Sequence, residues 1–190
     1  MANFYFESFP IIQYDLKKNG KKEFLTNIMV RFKIQETLKK IVSPYYDYSI
    51  IEGERPDHVA FKLYEDYKLD WIILLVNGIF DPHYDWPLSY NSFQTYIKQK
   101  YGSIPVAQNT VHEYRKILNI QSVRYDNTII PKRTLVVDET TYNSLPIAER
   151  ELITKYMYEV ELNDMKRNIK VVSQRYISAI VQQTRDIFNG

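Results

Sequence analysis

The polarity pattern of residues 1–43 predicts an extended arm, a hairpin and short helices. Aromatic residues alternate with other residues over positions 4–9, which is typical of an extended chain. Asn19-Gly20 predicts a type I′ hairpin turn, because both central positions of that turn need positive φ. The four lysines over residues 17–22 are interpreted as solvated around this turn, with a phosphate-binding patch as the alternative. Apolar residues at helical spacing over 26–42 predict one or two short helices.

The clearest local signals lie in residues 44–102. The run YYDYSII alternates rings with polar residues, as a half-buried strand does. Pro56 suits the first position of a helix, and Asn77-Gly78 suits the left-handed end of a second helix. Ile79 and Phe80 are interpreted as a short returning strand, which completes the order βααβ. The helix positions assigned to the core are Ala60, Leu63, Trp71, Leu74 and Leu75.

The rest of the chain changes character twice. Residues 103–150 hold β-branched runs separated by turn residues, which predict a small antiparallel β element in which Pro131 marks an edge or bulge. Residues 151–190 carry apolar positions that favour one or two amphipathic helices. We therefore expect an α+β protein with an N-terminal arm (1–43), a βααβ segment with a following helix (44–102), the β element (103–150) and a C-terminal helical segment (151–190).

Composition narrows the classes of function. The 190 residues carry 25 basic and 23 acidic side chains, and a net charge of +2 gives no strong attraction to nucleic acid or anionic lipid. The absence of cysteine excludes disulfides, thiolate zinc sites and thiol nucleophiles, and favours the cytosol. No apolar run approaches the about 20 residues of a membrane-spanning helix, and the N-terminus does not fit a secretory signal. The chain contains 17 tyrosines, whose rings suit surfaces that are apolar on one side and hydrated on the other. We therefore expect a protein that binds other molecules rather than a catalyst.

Two acidic clusters have a chemical alternative to a structural role. Asp81, His83 and Asp85 alternate as metal ligands on one face of an extended segment would, although the prolines on both sides favour a rigid turn. Glu52, Glu54 and Asp57 lie at the start of a helix, where the helix dipole favours acidic residues, and glycoside cleavage by paired carboxylates is the alternative. The chain contains neither a glycine-rich phosphate loop nor histidines at ligand spacing. The sequence thus predicts no catalytic, cofactor-binding or metal residue.

Three elements together carry a family resemblance. The stretch GERPDHVAFKLYEDYKLDWIILLVNGIFDPHYDWPLSYNSFQTYIKQKYG resembles the LysM-like region of the baseplate wedge subunit family of contractile-tailed phages, through RPDHVA, DWIILLVN and DWPLS. The arm FYFESFPIIQYD, the segment TNIMVRF and the stretch ELNDMKRNIKVVSQRYISAIVQQTRDIF follow the same order in that family. The resemblance covers most of the chain and is loose over 103–150. It implies that the βααβ segment is LysM-like.

The resemblance implies a structural role in the virion. Members of the family clamp other wedge proteins together and help to join adjacent wedges into the six-fold baseplate around the central hub, without catalysis or cofactor. The implied partners are other wedge proteins, the sheath-initiating subunit and the neighbouring wedge, with several copies per baseplate, and without nucleic acid or membrane. Such a late protein is assembled in the host cytoplasm and resides in the tail baseplate.

We expect the arm and the C-terminal helices to pack on neighbouring subunits. The candidate contact residues are Phe4, Tyr5, Phe9, Tyr14, Arg55, Tyr84 and Trp86. Trp86 lies on a turn-like segment where it is hard to bury locally, so we expect its change to alanine to impair assembly without unfolding the isolated chain. Two other classes stay open: a peptidoglycan-binding LysM protein, and a tail-associated lysozyme that uses Glu52 or Glu54.

Overall fold

The computed structural model describes residues 9–29 and 45–189. Phe4 and Tyr5, and most of the short helices predicted over 26–42, lie outside the described residues. The chain forms two compact units, which we call the first unit (Met1–Pro87 with Lys166–Gly190) and the inserted unit (Leu88–Met165). The division into four segments predicted from the sequence stays a prediction.

The described chain combines α-helices with small antiparallel sheets, so the predicted α+β class is confirmed. The strands are β1 (Ile11–Tyr14), β2 (Glu23–Thr26), β3 (Tyr45–Ser49), β4 (Val111–Asn119), β5 (Ser122–Val123), β6 (Ile129–Ile130), β7 (Arg133–Val137), β8 (Arg150–Thr154) and β9 (Asn168–Val172). The α-helices are α1 (Pro56–Tyr64), α2 (Asp70–Asn77), α3 (Pro82–Asp85), α4 (Tyr90–Tyr101), α5 (Ile104–Asn109), α6 (Glu139–Ser144), α7 (Lys155–Met165) and α8 (Ile177–Asn189). Within the described residues, no helix combines the length and apolar character that crossing a bilayer requires.

The N-terminal hairpin consists of β1 and β2, with Ile11 opposite Thr26 and Tyr14 opposite Glu23. A hairpin is therefore present where Asn19-Gly20 predicts one, but the predicted two-residue turn is wrong. The loop covers residues 15–22, with Lys18 at φ 51 and Gly20 at φ 79. The Asp15 carboxylate holds this loop, because it accepts hydrogen bonds from the backbone N–H groups of Asn19 and Gly20 at 3.1 and 2.6 Å.

The predicted returning strand at Ile79–Phe80 is wrong, because the partner of β3 is β9. Gly78 ends α2 at φ 66, and the N–H of Ile79 donates to the carbonyl of Leu74 at 2.9 Å, so this segment closes the helix instead. β9 lies in the region predicted to be helical, and it pairs antiparallel with β3 from Tyr45–Val172 to Ser49–Asn168. The order strand, helix, helix, strand is thus present with the inserted unit before its last strand, and its LysM-like identity stays a prediction.

A buried apolar cluster holds the first unit together. It joins α1, α2, β9 and the start of α8, and Ile72, Ile73 and Val171 are 0% exposed. Burying each such side chain stabilises the unit by about 1.5–3 kcal/mol. Among the helix positions assigned to the core, two lie inside the cluster (Ala60 and Trp71) and three pack against it partly buried (Leu63, Leu74 and Leu75).

The inserted unit combines a three-stranded antiparallel sheet with helices. The sheet has the order β7–β4–β8, and β5 pairs with β6 between β4 and β7 in the chain. Phe93, Ile97 and Ala107 form a second buried cluster, against which Tyr156 and Val160 pack. The β-branched runs thus form antiparallel strands as predicted, but the predicted β element over 103–150 also contains two helices, α5 and α6. Ser103 caps α5 by accepting from the N–H of Val106.

Candidate protein interface

The candidate contact residues differ in their exposure. Tyr14 on β1 is 53% exposed and Tyr84 on α3 is 73% exposed. The Arg55 side chain is 70% exposed and binds both carboxylate oxygens of Asp57, at 3.0 and 2.9 Å. Phe9, by contrast, is buried with 5% exposure. Tyr14, Tyr84 and Arg55 are therefore available for contacts in the isolated chain, and Phe9 is not.

Trp86 is the main correction to the sequence-based interpretation. It is 6% exposed, belongs to the buried cluster of the first unit, and donates its indole N–H to the Glu54 carbonyl at 2.7 Å. The premise that this ring is hard to bury locally is wrong, because the ring belongs to the same buried cluster as residues of α1, α2 and β9. This hydrogen bond places segments 54–55 and 84–86 side by side, so Arg55 and Tyr84 belong to one region of the first unit.

The Glu54 carboxylate is held in a local network. It accepts from the Tyr48 hydroxyl at 2.9 Å and the Ile51 N–H at 2.9 Å, and it pairs with Lys62 at 3.2 Å. Burial alone would raise the pKa of this carboxyl, but these hydrogen bonds and the lysine charge outweigh burial and lower the pKa. Glu52 pairs with Arg167 at 2.7 Å. Both carboxylates thus fasten elements of the first unit.

Asp81 and Asp85 act on the backbone of α3. The Asp81 carboxylate caps the helix by accepting from the N–H of His83 at 3.0 Å, and the Asp85 carboxylate accepts from the N–H of Asp81 at 3.3 Å. Across the ranges that the structure describes, no three His, Asp or Glu side chains are grouped as ligands of one metal ion. The sequence alternation therefore corresponds to a capped helical turn.

The N-terminal hairpin exposes apolar residues on both of its faces. Paired residues of an antiparallel hairpin share a face, so Ile11 (69% exposed) and Phe24 (73%) lie on one face, and Ile12 (39%) and Tyr14 (53%) on the other. Of these residues, only Tyr14 is among the contact residues predicted from the sequence. The signal for the others was the unbroken apolar pair in IIQY, together with EFLT, since a one-sided hairpin would alternate strictly.

Cations crowd the loop end of this hairpin. Lys17 pairs with Glu23 at 3.6 Å, and the Asp15 carboxylate accepts hydrogen bonds from the loop backbone. Lys18, Lys21 and Lys22 form no ion pair with a carboxylate in the described part of the chain. The hairpin thus presents apolar faces beside an uncompensated positive end.

Two comparisons relate the chain to known proteins. The family model described as "Base plate wedge protein 53" matches residues 4–187. The baseplate wedge protein gp53 of Enterobacteria phage T4 is 29% identical over 112 residues, which are 56% of this chain and 56% of that protein. The chain thus spans about half the length of this curated relative.

Proposed function

Because the chain belongs to the base plate wedge protein 53 family and is thus a structural protein of a phage tail baseplate, we propose that it clamps neighbouring wedge proteins together. In this proposal the chain also helps to join adjacent wedges around the hub. Its partners are other wedge proteins, the sheath-initiating subunit and the neighbouring wedge, and several copies act in one six-fold assembly.

The exposed hairpin is the observation that carries this proposal. A two-stranded hairpin is marginally stable alone in water, yet this one leaves Ile11, Phe24 and Tyr14 largely exposed. Covering an exposed Ile or Phe side chain with a partner contributes about 1.5–3 kcal/mol. A hairpin with apolar residues on both faces gains most when it lies between two surfaces, which suits a clamp.

The lysines at the loop end support a protein partner with acidic residues. Complementary charge speeds encounter and fixes orientation more than it adds affinity. Lys18, Lys21 and Lys22 therefore orient the hairpin, while its apolar faces hold it. An apolar centre with a charged rim is typical of stable protein interfaces.

We also propose that the chain is not an enzyme. A glycosidase needs one carboxylic acid whose pKa is raised so that it stays protonated. The pKa of Glu54 is instead lowered, despite the burial that would raise it, because hydrogen bonds and Lys62 favour the charged form. Glu52 is engaged with Arg167 at 2.7 Å. These contacts support a structural role for both residues.

The proposal predicts that a double variant, Ile11→Ser with Phe24→Ser, no longer joins the wedge. Both residues lie on one exposed face, so the free chain should keep its circular dichroism spectrum. Its free energy of unfolding should change by no more than about 0.5 kcal/mol. Co-sedimentation with the other wedge proteins of the same phage should fall at least tenfold. Gln13→Ser, a polar change on the same face, should leave co-sedimentation unchanged.

Full co-sedimentation of the double variant would contradict the clamp proposal. A pull-down of the unaltered chain on purified peptidoglycan distinguishes the alternative class. Retention there, together with no association with wedge proteins, would replace the proposal with a peptidoglycan-binding LysM function.

A further inference from the structure

Two like charges face each other across the sheet of the inserted unit. Lys116 in β4 lies directly opposite Arg150 in β8, and Leu135 in β7 lies opposite Lys116 on its other side. Directly opposed residues of an antiparallel pair share one face, and like charges in such positions destabilise the pair. An anionic group beside Lys116 and Arg150 would therefore stabilise this pair of strands.

The surroundings of these cations are mostly aromatic and apolar, apart from the Tyr142 carbonyl, which accepts from the Arg150 guanidinium at 3.4 Å. The Arg150 guanidinium lies 4.9 Å from the ring centre of Tyr142, which is 4.8 Å from that of Tyr114. Leu152 lies opposite Tyr114, and Leu135 and Leu152 are 54% and 37% exposed. We call this surface the basic sheet face and define it by its strand residues: Tyr114, Lys116, Leu135, Arg150 and Leu152.

Four carboxylates near this sheet are committed to other groups. Glu113 and Glu161 bind Arg115, which the strand alternation places on the opposite face. Glu151 pairs with Lys132 at 2.6 Å. Glu139 accepts from the hydroxyl of Tyr114. Across the described ranges, no carboxylate lies within ion-pair distance of Lys116.

We propose that the basic sheet face is a second docking surface, and that its occupant is a segment of another baseplate protein carrying a carboxylate flanked by apolar side chains. The carboxylate relieves the repulsion between Lys116 and Arg150, and the apolar groups cover Leu135 and Leu152. Tyrosine and arginine beside a desolvated centre are also the residues that dominate binding energy at protein interfaces. The inference rests on the proposed function only in seeking this partner among baseplate proteins.

A charge reversal separates this role from a purely internal one. Lys116→Glu places a carboxylate opposite Arg150, so the melting temperature of the isolated chain should stay equal or rise. The same change sets two carboxylates against each other at the interface. Binding to a wedge complex assembled without this chain, measured by analytical ultracentrifugation, should weaken at least tenfold. Lys98→Glu makes the same charge change on α4 and should bind as the unaltered chain does.

Carbodiimide cross-linking supplies an independent measurement, because it joins a lysine amine directly to a carboxylate. In the assembled wedge, mass spectrometry should find Lys116 linked to an Asp or Glu of another protein. Wild-type affinity of Lys116→Glu would overturn the inference, as would a Lys116-dependent binding of duplex DNA without any effect on the wedge. If Lys116→Glu binds normally while the hairpin double variant fails, only this inference falls. If the unaltered chain does not bind, the proposed function falls.

Discussion

Trp86 fastens the segment after α3 to the segment before α1. Its indole N–H donates to the Glu54 carbonyl at 2.7 Å, and its ring is 6% exposed within the buried cluster. An aromatic ring in this position contributes both apolar burial and one satisfied backbone carbonyl. Trp86 therefore stabilises the first unit, and we expect any effect of its loss on assembly to follow from destabilisation of this unit.

Replacing Trp86 by alanine should lower the free energy of unfolding by about 3–5 kcal/mol, because a large buried ring leaves a cavity. Urea unfolding followed by circular dichroism measures this change. Tyr84→Ala, two positions away and 73% exposed, is the control and should stay within about 0.5 kcal/mol of the unaltered chain. An unchanged urea midpoint for Trp86→Ala would show that the ring is not part of the core.

At the scale of elements, a buried carboxylate ties α4 to α7. Glu159 is 5% exposed and accepts from the Lys100 ammonium and the Tyr101 hydroxyl, both at 2.7 Å, and from the Tyr96 hydroxyl at 3.1 Å. Burial alone would raise the pKa of this carboxyl, but these donors and the lysine charge outweigh it and lower the pKa. The charged form is thus the one that stabilises the helix pair.

Glu159→Gln should destabilise the chain by about 1–3 kcal/mol at neutral pH, because charge-assisted hydrogen bonds are lost. The folded-state pKa lies below the unfolded value of about 4.3, so the stabilisation is present above that pH and is lost as the pH falls through the folded pKa. The difference between variant and unaltered chain should therefore shrink below about pH 4. Thermal unfolding from pH 7 to pH 3 measures this, with the exposed Glu149→Gln as control; a constant difference would contradict the assignment.

Element-scale signals also explain which parts of the fold the sequence predicts. Pro56 and Gly78 mark helix ends through their own backbone preferences, and the structure places helix ends there. The pairing of β3 with β9 joins residues that are distant in sequence, such as Asp47 and Lys170, which are 123 positions apart. No local pattern specifies such a partner, so the sequence suggested the nearer residues 79–80. The burial of Trp86 escapes local patterns for a similar reason, since its hydrogen-bond partner Glu54 lies 32 positions away.

At the scale of the whole molecule, the chain folds as two units, of which the first is discontinuous in sequence. The first unit closes its strand pair only when residues on both sides of the inserted unit come together. Each unit has its own buried cluster. The N-terminal hairpin and the basic sheet face therefore lie on units that each have a core of their own. Exposed apolar residues such as theirs are typical of surfaces that another protein covers.

Backbone amide hydrogen exchange over residues 11–26 reports whether the hairpin is covered in the baseplate wedge, as the clamp proposal requires. In the free chain these amides should exchange quickly, because a two-stranded hairpin opens easily. In the assembled wedge they should exchange at least a hundredfold more slowly, while amides of α2 should change little. Equal exchange rates of residues 11–26 in the free chain and in the wedge would contradict the proposal that the hairpin clamps wedge proteins.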